Sequence, residues 1–284
     1  MQRQHRRVST AIDGAVVLIT GAAGALGSTV ARQLARRGAV LALADLDEVG
    51  ARALADELTA KGARAQSFGC DVLDDNALAE LVDQIQATLG PVDILISSAG
   101  VEINAAFHTV SVDEIDTQLG LHLRSPMLLT RNVLPGMLER DRGHIVVISS
   151  MSGKIPLQVK APYAAAKAGS IAFCHSLRRE LAKTNVAVSV ITPGVVSGQG
   201  QAARALAGTT VRVPKSLGSV TVDEVATAVV ATLDNRAAEV AVQPRFPLLL
   251  NALQAAAPAV ADRVLAASGI GDFWAAVARQ DGRA

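Results

Sequence analysis

The sequence has few aromatic residues for its length. Phenylalanine, tyrosine and tryptophan together make up 2% of the 284 residues, with one tyrosine and one tryptophan in the whole chain. Hydrophobic residues nevertheless reach 50%, and most of them are alanine, valine and leucine. This composition is typical of buried strands with helices packed closely on them.

Cysteine and net charge are also scarce. The two cysteines, Cys70 and Cys174, lie far apart without metal-ligand spacing, so we expect buried free thiols and neither a disulfide framework nor a metal site. The 27 lysines and arginines nearly cancel the 26 aspartates and glutamates. We therefore expect no overall positive field that would collect nucleic acid or anionic lipid.

Long hydrophobic runs are absent as well. The most apolar stretch, residues 246–261, is interrupted by Asn251, Gln254 and Pro258 and falls short of the roughly 18 apolar residues that a membrane-spanning helix needs. The basic N-terminus runs into polar residues without the apolar core of a signal peptide. We expect a cytoplasmic protein without a membrane span, in which residues 1–12 form a flexible tail.

Short apolar runs alternate with longer segments of helical pattern along the chain. This alternation predicts a Rossmann-like, doubly wound parallel sheet in a three-layer α/β/α domain. Gly38, Gly62 and Gly90 are placed to end the intervening helices. Because no linker interrupts the pattern, we expect one domain over residues 13–245, with a C-terminal helical extension over residues 246–284. The predicted strands are residues 15–20, 39–45, 93–97, 144–150 and 186–192.

A glycine-rich segment, TGAAGALG at residues 20–27, follows the first predicted strand and precedes a helix. A diphosphate needs close backbone approach and N–H donors, which glycines and a helix N-terminus provide together. Asp45 ends the second strand, where a carboxylate accepts hydrogen bonds from the adenosine ribose and repels a 2′-phosphate. The pattern predicts NAD in preference to NADP. The alternatives are a plain tight turn and an aspartate that caps the next helix.

The segment YAAAK places Tyr163 and Lys167 four residues apart, on the same face of a helix. A free phenol has a pKa near 10, so acid/base work near neutrality requires a shift of about three units. The ammonium of Lys167 and the positive charge of an oxidised nicotinamide would lower the pKa of Tyr163 in that direction. Surface packing is the alternative explanation for such a pair.

Taken in order, these motifs resemble those of the short-chain dehydrogenase/reductase family over most of the chain. TGAAGALG is similar to the family's TGxxxGxG, and Ser150 precedes Tyr163 by the family's spacing. The resemblance implies an NAD(P)-dependent oxidoreductase acting on an alcohol or carbonyl. Tyr163 would move the proton, Lys167 would lower its pKa and hold the nicotinamide ribose, and Ser150 would orient the reacting oxygen. Ser149 and Ser152 are the alternatives to Ser150.

The resemblance also implies which residues bind the cofactor. They lie in the glycine loop, at the end of the second strand, in the CDV segment, in the SSAG turn after the fourth strand, in the YAAAK helix and in the Pro-Gly turn after the sixth strand. These residues are Gly21, Ala23, Gly24, Ala25, Leu26, Gly27, Asp45, Leu46, Asp71, Val72, Ser98, Ala99, Gly100, Tyr163, Lys167, Pro193, Gly194 and Val196.

His122 is the departure from the family pattern that bears most on catalysis. It stands in LHLRSP where the family has an asparagine that helps hold a water between the lysine and solvent. A neutral imidazole can donate and accept a hydrogen bond, so we predict a modified relay, with a bystander histidine as the alternative. Its unperturbed pKa near 6.5 predicts an acidic limb in the pH profile.

Other departures motivate a second function hypothesis. Ala25 replaces the family's middle glycine, Ser97 and Ser98 replace two asparagines, and Gly198 occupies the place of a threonine that Ser197 could supply. A catalytically weak NAD-binding regulatory protein would tolerate these changes.

The rest of the chain suggests a substrate lid and subunit contacts. Residues 195–221, rich in glycine, alanine, threonine and valine, are predicted to cover the substrate. The helix after Tyr163 and the C-terminal apolar segment are expected at interfaces of a homodimer or homotetramer, or, for the latter, in a pocket wall. That segment lacks the basic face of a membrane anchor, and its scarcity of charge suggests a lipophilic small-molecule substrate.

Overall fold

A seven-stranded, wholly parallel sheet is the centre of the protein in a computed structural model, which describes residues 10–197, 218–280 and 283. The spatial order of its strands is β3-β2-β1-β4-β5-β6-β9. The order reverses between β1 and β4, which opens a crevice at the carboxyl ends of these strands. The sheet strands are β1 (Val16–Thr20), β2 (Val40–Asp45), β3 (Arg64–Gly69), β4 (Ile94–Ser97), β5 (Gly143–Ile148), β6 (Val186–Pro193) and β9 (Glu239–Val242).

The central strands are buried along almost their whole length because helices cover both faces of the sheet. The five apolar runs of the sequence form β1, β2, β4, β5 and β6, as predicted. The structure adds β3 and β9 at the two edges, where exposed or half-buried positions replace the continuous apolar run. A separate pair of short parallel strands consists of β7 (Val196–Ser197) and β8 (Val220–Thr221).

Helices form the two outer layers. Gly38, Gly62 and Gly90 follow three of them with positive φ angles of 79° or more, as their predicted role in ending helices requires. A π-helical turn at Gly120–Arg124 joins two helices. The described helices are α1 (Ala25–Ala35), α2 (Glu48–Ala60), α3 (Asp75–Thr88), α4 (Val112–Leu119), α5 (Ser125–Glu139), α6 (Ala161–Glu180), α7 (Val222–Asn235), α8 (Arg245–Ala256), α9 (Pro258–Ala267) and α10 (Ile270–Gln280).

Two apolar clusters, one on each face of the sheet, make the core. One joins the sheet to α3, α5 and α6, and includes both cysteines as buried free thiols. The other joins the sheet to α1, α2 and α7. This arrangement confirms the predicted three-layer α/β/α fold.

The predicted N-terminal tail, residues 1–12, includes residues that pack on the folded domain. Ile12 is 3% exposed and packs in the cluster of α1, α2 and α7, because its side chain covers the amino-terminal end of the sheet. Thr10 donates its backbone N–H to Leu233 O, and its hydroxyl lies 3.3 Å from Nδ1 of His144. Residues 10–12 therefore belong to the folded domain, and residues 1–9 lie outside the described residues.

The C-terminal helices fold back on the domain itself. Leu250 and Ala261 pack against Met151 and Ile155, which follow β5. A second cluster, centred on Trp274 of α10, packs against the segment before α6. Of the two predicted roles for this segment, its contacts match a pocket wall. None of the described helices is long and apolar enough to cross a membrane.

Candidate active site

One large cavity, of about 740 Å³, follows the carboxyl ends of the central strands. The glycine loop and the end of β2 line one end of it. The end of β5 and the start of α6 line the other end, together with α8, α9 and α10. The cavity therefore lies at the edge where open parallel sheets bind ligands.

The glycine loop exposes its backbone to the cavity, because its glycines stand where side chains would not fit. Gly21 has φ +68°, and a Cβ there would lie 2.7 Å from the Cα of Ala99. A Cβ at Gly27 would clash with the carbonyl oxygen of Gly21. Helix α1 begins directly after Gly24 without a side-chain cap among the described residues, so its first N–H groups face the cavity end. A diphosphate fits this arrangement.

Asp45 is held in place at the same end of the cavity. Its Oδ2 accepts a hydrogen bond from Ala23 N at 2.8 Å, and its Oδ1 accepts one from Asp47 N at 3.0 Å. The cap of α2 is Asp47, whose carboxylate accepts from Gly50 N. Asp45 is thus not the cap of that helix, and its carboxylate lines the cavity.

Most of the predicted cofactor-binding residues line this cavity together. Val72 does not, because its side chain packs in the apolar cluster of α3 and α5. The SSAG turn is held by Thr20, whose hydroxyl accepts from Ser98 N at 3.2 Å and Ala99 N at 3.4 Å. Ser97 Oγ is buried without a hydrogen-bond partner in the described structure.

Ser150, Tyr163 and Lys167 meet at the other end of the cavity. Ser150 lies in the segment after β5, and its hydroxyl is close enough to Tyr163 to lower the pKa of the phenol. Lys167 Nζ donates to Ile148 O at 2.8 Å and lies 5.6 Å from the centroid of the Tyr163 ring. The alternative Ser149 has a structural contact instead, because its hydroxyl donates to the Lys167 carbonyl at 2.9 Å.

Burial dominates the proton affinities of both helix residues. It raises the pKa of Tyr163, and the nearby Glu102 carboxylate raises it further, whereas the bond to Ser150 lowers it. Burial lowers the pKa of Lys167 to about 7, against the opposing effect of Glu102. This desolvation opposes the expected lowering of the Tyr163 pKa by Lys167.

His122 lies in the π-helical turn and is 2% exposed. Its Nε2 lies 2.7 Å from the Val101 carbonyl oxygen, and its ring meets that of Tyr163 edge-on at 5.0 Å between centroids. Burial, followed by the charge of Lys167, holds the pKa of His122 well below 6.5. This direction favours the neutral imidazole and argues against the predicted acidic limb from His122.

The neutral imidazole has a defined tautomer. A carbonyl accepts only, so Nε2 carries the proton that it donates to Val101 O. Nδ1 then has a lone pair, and it is buried without a hydrogen-bond partner in the described part of the chain. Gly100 leaves the room for this ring, because a Cβ there would clash with it.

Sequence reasoning missed the residues on the substrate side of the cavity. Glu102 and Lys160 form a buried ion pair, and Lys160 Nζ lies 3.2 Å from the ring centroid of Trp274. Lys160 is three residues before Tyr163 on one helix face, a signal that could have identified it. Trp274 has no such signal, since only the tertiary fold brings it there. The apolar wall consists of Met151, Ile155, Leu157, Val195, Leu250, Leu265, Ile270 and Trp274.

Part of the predicted lid lies outside the described residues. These are residues 198–217, which include Gly198. At their borders, Ser197 donates its hydroxyl to Val220 O at 3.2 Å, which joins β7 to β8. A covering role for residues 195–221 stays a prediction.

Comparison with known proteins identifies the family. A family model described as short chain dehydrogenase matches residues 15–207. Ketoacyl reductase HetN of Nostoc sp. is 36% identical over 269 residues, which cover 93% of this chain and 92% of that protein. The 3-oxoacyl-(acyl-carrier-protein) reductase FabG of Escherichia coli is 33% identical over 184 residues, 65% of this chain and 74% of that protein.

A solved structure shows the same fold. The crystal structure of a metagenomic short-chain oxidoreductase in complex with NADP has a TM-score of 0.70 and 30% sequence identity, and covers 83% of this chain and 99% of its own. The family match spans both the glycine loop and the YAAAK segment. The chain therefore belongs to the short-chain dehydrogenase family and is an NAD(P)-dependent oxidoreductase.

Proposed function

We propose that this protein interconverts a carbonyl and the corresponding alcohol with NAD(H), by the joint action of Ser150, Tyr163 and Lys167. One observation carries the proposal: these three side chains and the glycine loop line a single cavity at the carboxyl edge of the sheet. A hydroxyl that can transfer a proton therefore shares its space with a backbone surface suited to a dinucleotide.

Each of the three side chains has a task. When bound, the reduced nicotinamide supplies a hydride to the carbonyl carbon. The hydroxyls of Ser150 and Tyr163 hydrogen-bond the substrate oxygen, which takes the Tyr163 proton as the alcohol forms. Lys167, fixed on Ile148 O, stabilises the phenolate that remains. In the opposite direction the Tyr163 phenolate accepts the alcohol proton.

Preference for NAD(H) over NADP(H) is part of the proposal. The Asp45 carboxylate lies where an adenosine 2′-phosphate would be repelled. Among the described residues that line the cavity, the only lysines are Lys160 and Lys167, at the catalytic end, and there is no arginine. The similar solved structure contains NADP, so NADP is the alternative that a binding measurement must address.

The substrate class we propose is a neutral 3-oxoacyl compound with an apolar chain. The substrate side of the cavity is lined mainly by aliphatic side chains and Trp274, and its two charged groups, Glu102 and Lys160, neutralise each other. HetN, named a ketoacyl reductase, matches 93% of the chain. That match therefore extends into the C-terminal helices that form the apolar wall.

A regulatory protein without turnover is less well supported. The substitutions that motivated this hypothesis are Ala25, Ser97, Ser98, His122 and Gly198, and the last of these lies outside the described residues. Ser150 and Tyr163 side by side in one cavity with a buried lysine have no evident use in a protein that only senses NAD.

The test is the variant Tyr163→Phe in an assay of 3-oxoacyl thioesters of increasing chain length, with NADH oxidation followed by absorbance. We expect turnover by the natural protein and a loss of about 10² to 10⁴ in kcat in the variant, because only the proton donor is removed. NADH affinity and melting temperature should stay unchanged. Near-normal turnover by the variant would contradict the assigned role, and loss of NADH binding would make Tyr163 a structural residue.

A further inference from the structure

A buried ion pair lies beside Tyr163 and has no task in the proposed chemistry. Lys160 precedes α6 and is 1% exposed, and Glu102 follows the SSAG turn with its side chain 11% exposed. The Lys160 ammonium donates directly to a carboxylate oxygen of Glu102. Taking two charges out of water is costly, so stability alone is a weak reason for such a pair.

Lys160 and the catalytic Lys167 lie at similar distances from the phenol ring. Lys160 Nζ lies 5.8 Å from the Tyr163 ring centroid, and Lys167 Nζ lies 5.6 Å from it. One lysine comes three residues before the tyrosine and the other four residues after it. Tyr163 is therefore flanked by two ammonium groups, of which only one has a carboxylate partner among the described contacts.

The ionisable groups that face Tyr163 come from four elements. Lys160 immediately precedes α6 and Lys167 lies in its first half, Glu102 belongs to the loop after β4, and His122 to the π-helical turn, while the Ser150 hydroxyl comes from the segment after β5. His122 is neutral, as derived above. Lys160 and Glu102 therefore remain as the charges that can offset or reinforce the effect of Lys167.

We propose that Glu102 and Lys160 are positioning residues for acid/base catalysis, a pair whose opposite charges set how readily the Tyr163 hydroxyl releases its proton. The proposal rests on the role assigned to Tyr163 above. The Glu102 carboxylate opposes formation of a phenolate and favours the charged form of Lys167. Lys160 draws that carboxylate toward itself and adds a second positive charge near the ring.

Trp274 fixes the position of the Lys160 ammonium. The indole ring lies against it at 3.2 Å, within the range of a cation–π interaction. The ring is held in turn by Phe273, edge-on at 4.7 Å, within the apolar cluster of α10. The C-terminal helix thereby contributes to the electrostatics of the proton donor as well as to the cavity wall.

The single tyrosine makes the test independent of the substrate. Protein labelled with ¹³C at the tyrosine ζ carbon gives one resonance, whose shift reports ionisation of Tyr163 directly. Titrations of the full chain with saturating NAD⁺ compare the natural protein with Glu102→Gln, Lys160→Met and the double variant. We expect a tenfold or larger rise in the ionisation constant for Glu102→Gln, a comparable fall for Lys160→Met, and a near return to the natural value in the double variant.

The double variant also guards against a folding failure. Each single change leaves one charge buried, whereas the double change removes both and keeps a similar volume. Trp274→Leu, compared with the matched change Phe273→Leu, tests the anchoring of Lys160. Only the former should lower the ionisation constant, because only Trp274 contacts the ammonium.

Two results would overturn the proposal. One is an ionisation constant that agrees within twofold in the natural protein and Glu102→Gln, including a phenol that stays protonated to pH 11 in both. The other is a double variant that differs from the natural protein as much as Glu102→Gln does. Failure of the assigned role of Tyr163 is a separate outcome, since it would appear as activity in Tyr163→Phe and leave the titration unaffected.

Discussion

At the scale of single residues, burial decides which form each ionisable group takes. His122 has the ring type that usually titrates near neutrality, yet the fold removes it from water and places Lys167 nearby. What remains is a neutral ring that donates to Val101 O. Its contribution to catalysis must come from shape and hydrogen bonding, with no change of charge.

His122→Asn should therefore leave the form of the pH profile unchanged. We expect kcat between pH 5.5 and 8 to follow the same curve in both proteins, scaled by no more than about tenfold, the effect of one hydrogen bond. The measurement is single-turnover kcat against pH with a 3-oxoacyl thioester, so that product release does not hide the chemical step. An acidic limb present only in the natural protein would show that His122 does become charged.

The residues that sequence reasoning identified at this site share a local signature. Tyr163 and Lys167 lie within one helix turn, and Ser150 precedes Tyr163 by the spacing of the family motif, so the resemblance to that family could indicate them. Glu102 and Trp274 could not be found in this way, because they lie far from Lys160 in the sequence and meet it only in the folded chain. The balance of burial against charge at Tyr163 also requires the folded structure.

At the scale of elements, the sheet shows why some strands were predictable and others were not. β1, β2 and β4 are covered on both faces and appear in the sequence as unbroken apolar runs. β3 and β9 have a neighbour on one side only, so polar side chains such as Arg64 and Glu239 are tolerated in them. A search for apolar runs therefore misses these two edge strands.

His144 ties β5 to β6 and to the start of the domain. Its Nε2 donates to Ser189 Oγ at 2.8 Å, and that hydroxyl donates to Ala237 O at 2.6 Å. The Thr10 hydroxyl lies 3.3 Å from the other ring nitrogen of His144, Nδ1. Burial lowers the pKa of His144 to about 3. Between about pH 3 and pH 6.5, His144 is therefore neutral in the folded protein and protonated in the unfolded chain.

Acid should destabilise the protein partly through this residue. Since the folded pKa is depressed, the contribution of neutral His144 is complete above about pH 6.5 and is lost as pH falls, by up to about 1.4 kcal/mol per pH unit. We expect His144→Gln to be less stable than the natural protein at pH 7, with a difference that shrinks by pH 4.5.

Urea unfolding at pH 7, 5.5 and 4.5 measures this difference in the free energy of unfolding. His108→Gln is the matched control, because His108 is exposed and its replacement should leave the pH dependence unaltered. A difference between His144→Gln and the natural protein that stays constant with pH would contradict the proposed titration.

At the scale of the whole molecule, the cavity has two ends with different electrostatic character. The adenosine end carries the Asp45 carboxylate, while Lys167 and the Glu102–Lys160 pair lie at the catalytic end. A cofactor with a 2′-phosphate would bring that phosphate close to the Asp45 carboxylate, and the two negative charges would repel each other. This asymmetry yields the prediction for cofactor choice.

We expect NADH to bind at least tenfold more tightly than NADPH, and Asp45→Asn to narrow that ratio. Asparagine retains an oxygen for the bond from Ala23 N or Asp47 N while removing the charge. Dissociation constants from titration calorimetry, with the exposed Asp56→Asn as a charge-matched control, provide the measurement. Tighter NADPH binding by the natural protein would reverse the assignment.

Half of the residues in the apolar wall of the cavity come from a part of the chain beyond the family match. That match ends at residue 207, whereas Leu250, Leu265, Ile270 and Trp274 follow it. The C-terminal helices therefore contribute both to the substrate side of the cavity and, through Trp274, to the surroundings of Lys160. We expect a chimaera that received the last three helices of a relative to change its substrate range and, unless Trp274 is kept, to lose the contact that holds the Lys160 ammonium.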